Sequence, residues 1–296
     1  MIKDQFFFNS NYLKSLSDKF SDEFKNAKPF KHVVIDNFLP SDLAIKISEE
    51  FPNIDEIEWI KSNPGAAKTT GDPNIEKLSC DDEEQFPINI RNIMLQFNSN
   101  TFLNFLQDIT GIKHLIPDPS FNQCGLYSTG RGGRLMVHAD SNRYPIPHMF
   151  HQHINVILYV TRDWNKTWGG DLELWNKEKT NLEKRIYPLF NRLLIFDTGK
   201  HSYHGHPQPL NCPKDKRRNN LALYYYVHER QSSPEYRGFQ EIEWVRTNSY
   251  DRFDSNFLFF LIKKRIRLLL PNKIKSWIYL RKDSQTKKKN KINKKS

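Results

Sequence analysis

The chain has 296 residues, 38% of them hydrophobic and 13% aromatic, and a formal net charge of +11. Its 21 Phe, 12 Tyr and 6 Trp are enough for a sizeable core, whereas 12 Gly, 16 Pro and 3 Cys exclude collagen, low-complexity and disulfide-scaffold classes. Apolar runs such as Phe257–Ile262 are six residues long, against the ~18–20 of a spanning helix. The segment MIKDQFFFNS lacks the apolar core of a secretory signal. Cys80, Cys124 and Cys212 are odd in number and widely spaced. They fit a reducing cytosol and argue against a cysteine-type zinc site, so a cytoplasmic location is expected.

The charge is uneven. Residues 257–296 hold 14 Lys/Arg and one acid, Asp283, a net of +13, which leaves −2 for residues 1–256. A near-neutral domain with a basic tail is not the footprint of a specific nucleic-acid binder.

Residues 30–39 read as a short strand leading into a helix capped by Ser41, with Leu43, Ile47 and Phe51 on one face and Pro52 at its end. Residues 53–86 are polar, with Pro and Gly, and read as loop. A second helix covers roughly 101–110, with Phe102, Phe105, Leu106 and Ile109 on one side and Gly111 after its last turn. From about residue 121 short strand-like runs alternate with turns, at 121–128, 134–140, 153–160, 171–175, 191–197 and 219–228. In the last of these Leu221, Leu223, Tyr225 and Val227 alternate with Ala222, Tyr224 and Tyr226, the period of a strand.

The expected fold is mostly β with flanking helices, a sandwich or barrel against which the N-terminal helices pack. The expected organisation is N-terminal support over 1–120, a β core over 121–230, a connector over 231–256 and a basic segment over 257–296. In that last segment apolar residues from Leu258 to Ile278 recur at near-helical spacing, Pro271 breaks the pattern, and residues 283–296 are rich in Lys and Asn.

Seven of the ten histidines fall between positions 138 and 206. His138 and Asp140 end the apolar run Leu135–Val137. On a strand, residues two apart face the same side, so an imidazole and a carboxylate there can grip one metal. That pair alone is weak, since ten histidines and 34 acids in this length give about one H-x-[D/E] by chance. The signal sharpens 66 residues later, where Ser202-Tyr203-His204-Gly205-His206-Pro207 follows another strand, and again at Arg218, fourteen residues further on. Two histidines and one carboxylate form the facial set that leaves positions open on Fe(II). A guanidinium nearby can hold a dicarboxylate through a bidentate pair.

On these residues, with FKHVVIDNFLP near the start, WGGDLELW at 168–175 and R-x-N-LALYYY from Arg218, the chain resembles the Fe(II)- and 2-oxoglutarate-dependent dioxygenases of the prolyl-4-hydroxylase-like branch, over roughly 30–230. The resemblance implies a double-stranded β-helix (a jelly roll, cupin-like) and iron held by His138, Asp140 and His204. It implies 2-oxoglutarate chelated to that iron with its distal carboxylate on Arg218, Tyr127 against the 2-oxoglutarate, O2 as co-substrate and ascorbate as reductant. The reaction implied is oxidative decarboxylation to succinate and CO2 coupled to hydroxylation of an unactivated C–H. Asp140 fits hydroxylation, since halogenases of this type lack the carboxylate. Prolyl hydroxylases usually have Lys, nearer the distal histidine, where this chain has Arg218. That departure bears on a prolyl substrate rather than on the cofactor.

Bland readings stand beside these. His201 and His206 compete with His204 for the ligand role and otherwise read as supporting or surface residues. His148, His151 and His153 read as rim or hydrogen-bonding residues, Arg217 as facing outward, and Thr129–Gly133 as a turn rather than a phosphate loop. The substrate enters over rim loops at 60–85 and 141–152; peptidyl proline or a small-molecule or envelope precursor fits equally. The competing function is a non-catalytic jelly-roll module docked through 257–296 on an anionic membrane or polyanion.

Overall fold

Apolar residues at period two along the strands, and at helical spacing before them, sort the chain into layers. The computed structural model describes residues 6–61, 77–118, 121, 124–141, 150–228, 240, 242–248 and 262. In chain order come α1 (Ser10–Asn26), β1 (His32–Ile35), α2 (Ser41–Glu49), β2 (Ile60–Lys61), β3 (Leu78–Cys80), α3 (Ile88–Phe97), α4 (Asn100–Thr110) and β4 (Ile116–Pro117). Then follow β5 (Gly125–Thr129), β6 (Leu135–Ala139), β7 (Phe150–Tyr159), β8 (Leu172–Trp175), β9 (Leu182–Ile186), β10 (Arg192–Asp197), β11 (His204–His206), β12 (Arg218–His228) and β13 (Glu243–Val245).

Among the described residues the strands form two antiparallel sheets. The larger runs β1-β10-β7-β12-β5-β3-β2, with β4 beside β12, and the smaller runs β13-β6-β11-β8-β9. From β5 to β12 the chain keeps changing sheet, which makes the core a double-stranded β-helix. The alternation on β12 has a direct meaning here. Leu221, Leu223, Tyr225 and Val227 join Val156, Leu158, Leu193 and Ile195 in an apolar layer under the helices. The other face of the same sheet turns inward, where Tyr159, Leu194 and Phe196 meet Leu172, Leu174 and Ile186 of the smaller sheet. The helical layer is phenylalanine-rich. Phe97 and Phe102 meet edge to face at 4.8 Å, and Phe8 and Phe38 close around them.

Helix α4 runs as its pattern predicts, with Phe102, Phe105, Leu106 and Ile109 buried and Gly111 at φ +74 closing it. Helix α2 differs in its start. Pro40 holds the cap position, and Ser41 is the first helical residue rather than the cap. Two helices have no counterpart in the sequence reading. In α1 only Leu13, Ser17 and Phe24 are buried, so its apolar stripe is thin. The Ile-rich start of α3, directly after Pro87, suits a strand as well as a helix. The segment 53–86, read as loop, contains the short strands β2 and β3.

Among the described residues no helix is long and apolar enough to cross a membrane. The expected basic helix and Lys-rich tail over 257–296 lie, Ile262 apart, outside the described residues.

Candidate active site

Strands β6 and β11 pair antiparallel with His138 directly opposite His204. Asp140 follows β6, and in this register its carboxylate reaches both rings. Its Oδ1 lies 3.2 Å from His138 Nε2 and its Oδ2 3.8 Å from His204 Nε2. The potential ligand atoms of the three residues lie within 4.8 Å of one another, and all three residues are buried.

Each imidazole is fixed from behind. His138 Nδ1 is 2.9 Å from the Met136 carbonyl and His204 Nδ1 is 2.9 Å from the Ser202 carbonyl. A carbonyl only accepts, so Nδ1 of each ring carries a proton and Nε2 faces the interior. Burial keeps His204 neutral, pushing its imidazole down to about 4, with His138 and Lys77 adding to the effect and Asp140 opposing it. Burial alone would raise the Asp140 carboxyl, but the neighbouring His204 and His138 outweigh it and hold the group well below the usual carboxylate range. Lone pairs of a neutral imidazole and an ionised carboxylate therefore face one another at close range. A divalent cation is the partner this arrangement lacks, and two imidazole nitrogens with one carboxylate suit Fe(II).

The supporting residues come from both sheets. Gln152 Nε2 donates to Asp140 Oδ2 at 3.3 Å, the Asn155 side chain also bonds that carboxylate, and Gln240 Nε2 donates to the Asp140 carbonyl at 2.8 Å. Trp244 lies against His138 with ring centroids 4.7 Å apart, and Phe196 meets His204 edge-on at 4.7 Å. Trp244 comes from β13, which pairs with β6 inside the segment 231–256.

Arg218 opens β12 and is 4% exposed. Its Nε donates to the Gly170 carbonyl at 2.8 Å, Nη1 to Asn220 Oδ1 at 3.2 Å and Nη2 to the Tyr159 hydroxyl at 3.3 Å. A guanidinium has five N–H groups, so one on each Nη is left for a further acceptor. Its acidic neighbour Asp171 is engaged by Arg185 at 2.7 Å. Among the described residues no carboxylate lies within ion-pair distance of Arg218. Gly170, at φ +79, makes room for it, since a Cβ there would stand 2.9 Å from Arg218 Cδ and 2.6 Å from Leu210 Cδ2. Arg217 turns the other way, with its Nε donating to Ser128 Oγ at 2.7 Å.

Tyr127 on β5 stands directly opposite Asn220, which in turn stands opposite Tyr159. The three line one row of the inner face. Burial pushes the Tyr127 phenol up, and its hydroxyl bonds that of Tyr224. Of the remaining histidines, His201 is exposed, His151 and His153 are buried on β7, and His206 is buried beside the triad. His148 and most of both rim loops lie outside the described residues. Thr129–Gly133 is a turn, closed by a Gly133 N–H to Gly130 carbonyl bond of 3.0 Å. Tyr159, Gln152, Asn155 and Trp244 had no signature in the sequence; only strand register brings them to the site.

These features define a mononuclear metal centre inside a jelly roll, beside a buried cation with two donors to spare. Residues 123–228 match the model of the 2OG-Fe(II) oxygenase superfamily. Two solved structures are similar in fold. One is a prolyl hydroxylase from Trichoplax adhaerens in complex with a hypoxia inducible factor oxygen degradation domain peptide fragment, 19% identical, covering 73% of this chain and 91% of its own, at a TM-score of 0.51. The other is from work on prolyl 4-hydroxylases of Phytophthora capsici, 17% identical, covering 88% and 78%, at a TM-score of 0.50. Residues 123–228, which carry the triad and Arg218, thus match the 2OG-Fe(II) oxygenase superfamily, the fold is similar to that of prolyl hydroxylases, and the donor set of His138, Asp140 and His204 fits a metal ion.

One consequence of the buried ligands is measurable without metal. An unfolded histidine titrates near 6.5, whereas folded His204 does so at about 4. Between these values the unfolded chain binds the extra proton, so stability is present above 6.5 and is lost as pH falls toward 4. Thermal denaturation of chelator-treated protein is expected to show this decline, and His204→Gln or saturating divalent metal to flatten it. A wild-type midpoint constant over that range would show that His204 is not held neutral.

Proposed function

We propose that the protein hydroxylates an unactivated C–H of its substrate, using His138, Asp140 and His204 as the metal ligands and Arg218 as the anchor of 2-oxoglutarate. The observation that carries this reading is the buried triad, with both Nδ1 atoms committed to carbonyls and both Nε2 atoms aimed at one point with Asp140. When bound, Fe(II) with 2-oxoglutarate and O2 supplies the oxidising chemistry: one oxygen atom enters the substrate C–H and the other the succinate formed with CO2.

The chain's own residues bind and orient. The Met136 and Ser202 carbonyls keep Nε2 of both rings available as a ligand. Asp140 would add one carboxylate charge beside the two Nε2 atoms, a donor set that suits Fe(II). The spare N–H groups of Arg218 form a fork for the distal carboxylate, and the Tyr159 hydroxyl, which accepts from Arg218, can donate its own proton to the same group. Tyr127 and Tyr224 wall the interior on the side of β5 and β12. Phe196 and Trp244 cover the histidine rings and keep water from them.

The target C–H belongs to a peptidyl proline or to a small molecule such as an envelope precursor. Anaerobic addition of Fe(II) and then 2-oxoglutarate is expected to give a weak visible charge-transfer band, and aerobic turnover to give succinate above the level of a His138→Ala/Asp140→Ala control. Iron binding without the band would remove the 2-oxoglutarate role. A band without succinate, across prolyl peptides and small molecules, would remove the hydroxylase reading.

A further inference from the structure

Lys77 stands just before β3 and was not among the residues expected at the site. The register Leu78 to Ser128 and Ser79 to Tyr127 puts Ser79, and with it Lys77, on the face that Tyr127 occupies, toward the interior. The ammonium lies 4.4 Å from the centroid of the Tyr127 ring. Desolvation and the Arg218 charge together bring it down to about 8, with Asp140 working against both. It acts in turn on His204 and His206. Lys77 therefore shares the inner face with Tyr127 and, through the row of β5 and β12, with Arg218.

Among the described residues no carboxylate lies within ion-pair distance of Lys77. Two cations, the half-buried Lys77 and the buried Arg218, thus face one interior, while Asp140 belongs to the metal-ligand set and Asp171 is engaged by Arg185. Like charges placed so are costly unless an anion lies between them. His206 bounds the same space. It is 3% exposed, its Nδ1 has no partner, and Arg218 and Lys77 are the two charges that weigh most on it. Lys77, Arg218 and His206 can each donate to an anion, and no acid of the described chain lies within ion-pair distance of Lys77 or Arg218.

We propose that Lys77 is a second anchor for 2-oxoglutarate, closing on the distal carboxylate from the side opposite the Arg218 fork. The inference rests on the oxygenase reading. The distal end is favoured because Lys77 precedes Leu78, which stands opposite Ser128, and so lies toward the Thr129 end of β5, where Thr129 stands opposite Arg218. Lys77 is then a binding residue for the co-substrate, and the 2-oxoacid is selected for a second negative charge by two cations from different strands.

The experiment is anaerobic titration of Fe(II)-loaded full-length protein with 2-oxoglutarate and, separately, with 2-oxopentanoate, which chelates identically but lacks the distal carboxylate. Lys77→Met is expected to weaken 2-oxoglutarate roughly ten- to hundredfold, the worth of one charge-assisted hydrogen bond. It should leave 2-oxopentanoate and Fe(II) affinity within about twofold, on the scale where 1.4 kcal/mol is tenfold. Lys77→Arg is expected to recover most of the loss. Wild-type affinity for 2-oxoglutarate should fall as pH rises through about 8, because the carboxylate prefers the ammonium form. Arg218 and the Tyr127 phenol do not titrate in that range, so Lys77→Arg removes the slope. Equal binding by wild type and Lys77→Met overturns the proposal, and so does equal weakening of both oxoacids. Failure of the wild type to bind 2-oxoglutarate would overturn the oxygenase reading itself, a result distinct from either.

Discussion

Gly205→Ala is expected to lower Fe(II) affinity by roughly 100-fold, the upper end of the range for disturbing residues that orient metal ligands. Gly205 sits between His204 and His206 on β11, a strand of three residues whose register against β6 shifts between those two histidines. A Cβ at this position would stand 2.8 Å from Val137 Cα, 2.8 Å from the Met136 carbonyl oxygen and 2.9 Å from that of Leu135. All three are backbone atoms of β6, so no side chain can swing aside. Strand β11 must move off β6, and the pairing of His204 with His138 is what that movement breaks. The same shift pulls on the Met136 carbonyl that orients His138. Overpacking costs about 1–3 kcal/mol, and the helical layer lies against the other sheet, so the protein is expected to fold. Calorimetric titration with Fe(II) or Co(II), alongside a denaturation curve, checks both halves. Wild-type metal affinity in a folded Gly205→Ala protein would show that β11 and β6 tolerate a wider spacing than the geometry implies.

Arg218→Met is expected to raise the dissociation constant for 2-oxoglutarate by roughly 100-fold or more while leaving Fe(II) affinity nearly unchanged. A bidentate guanidinium–carboxylate pair is among the strongest neutral-pH contacts available, and here it forms out of water. The substitution also removes the partner of the Tyr159 hydroxyl, Asn220 Oδ1 and the Gly170 carbonyl, so part of the loss is their misplacement. Methionine is close to the stem in length and fills the space beside Gly170. Arg218→Lys is expected to recover little, since one ammonium cannot reproduce a fork that serves three protein acceptors and a carboxylate. The charge-transfer titration reads the co-substrate and metal terms separately. A parallel loss of both would mean that Arg218 holds the barrel together rather than the oxoacid.

Local patterns carried much of this molecule. Four of the elements followed from local pattern: β12 from its alternation, α4 from its apolar stripe and Gly111, and β7 and β10 from their apolar runs. His138 and Asp140 were legible because two positions on one strand share a face. His204 and Arg218 were legible only together with the family resemblance, since neither spacing has a local meaning. Helix α1 escaped because few of its residues are buried, and β9 because three consecutive charged residues, Glu183, Lys184 and Arg185, leave Leu182–Ile186 with little apolar signal.

The sequence by itself determined the class of chemistry. Residue types fix what a side chain can ligate or neutralise, and the strand period fixes which near neighbours act together. Tertiary structure decided which distant residues meet. Antiparallel register set His204 opposite His138, laid Tyr127, Asn220 and Tyr159 in one row, and brought Trp244 from β13 and Lys77 from β3 to the same interior. Such pairings join positions separated by tens to more than a hundred residues. They depend on which sheet edge each strand finds, and no pattern within a strand records that choice.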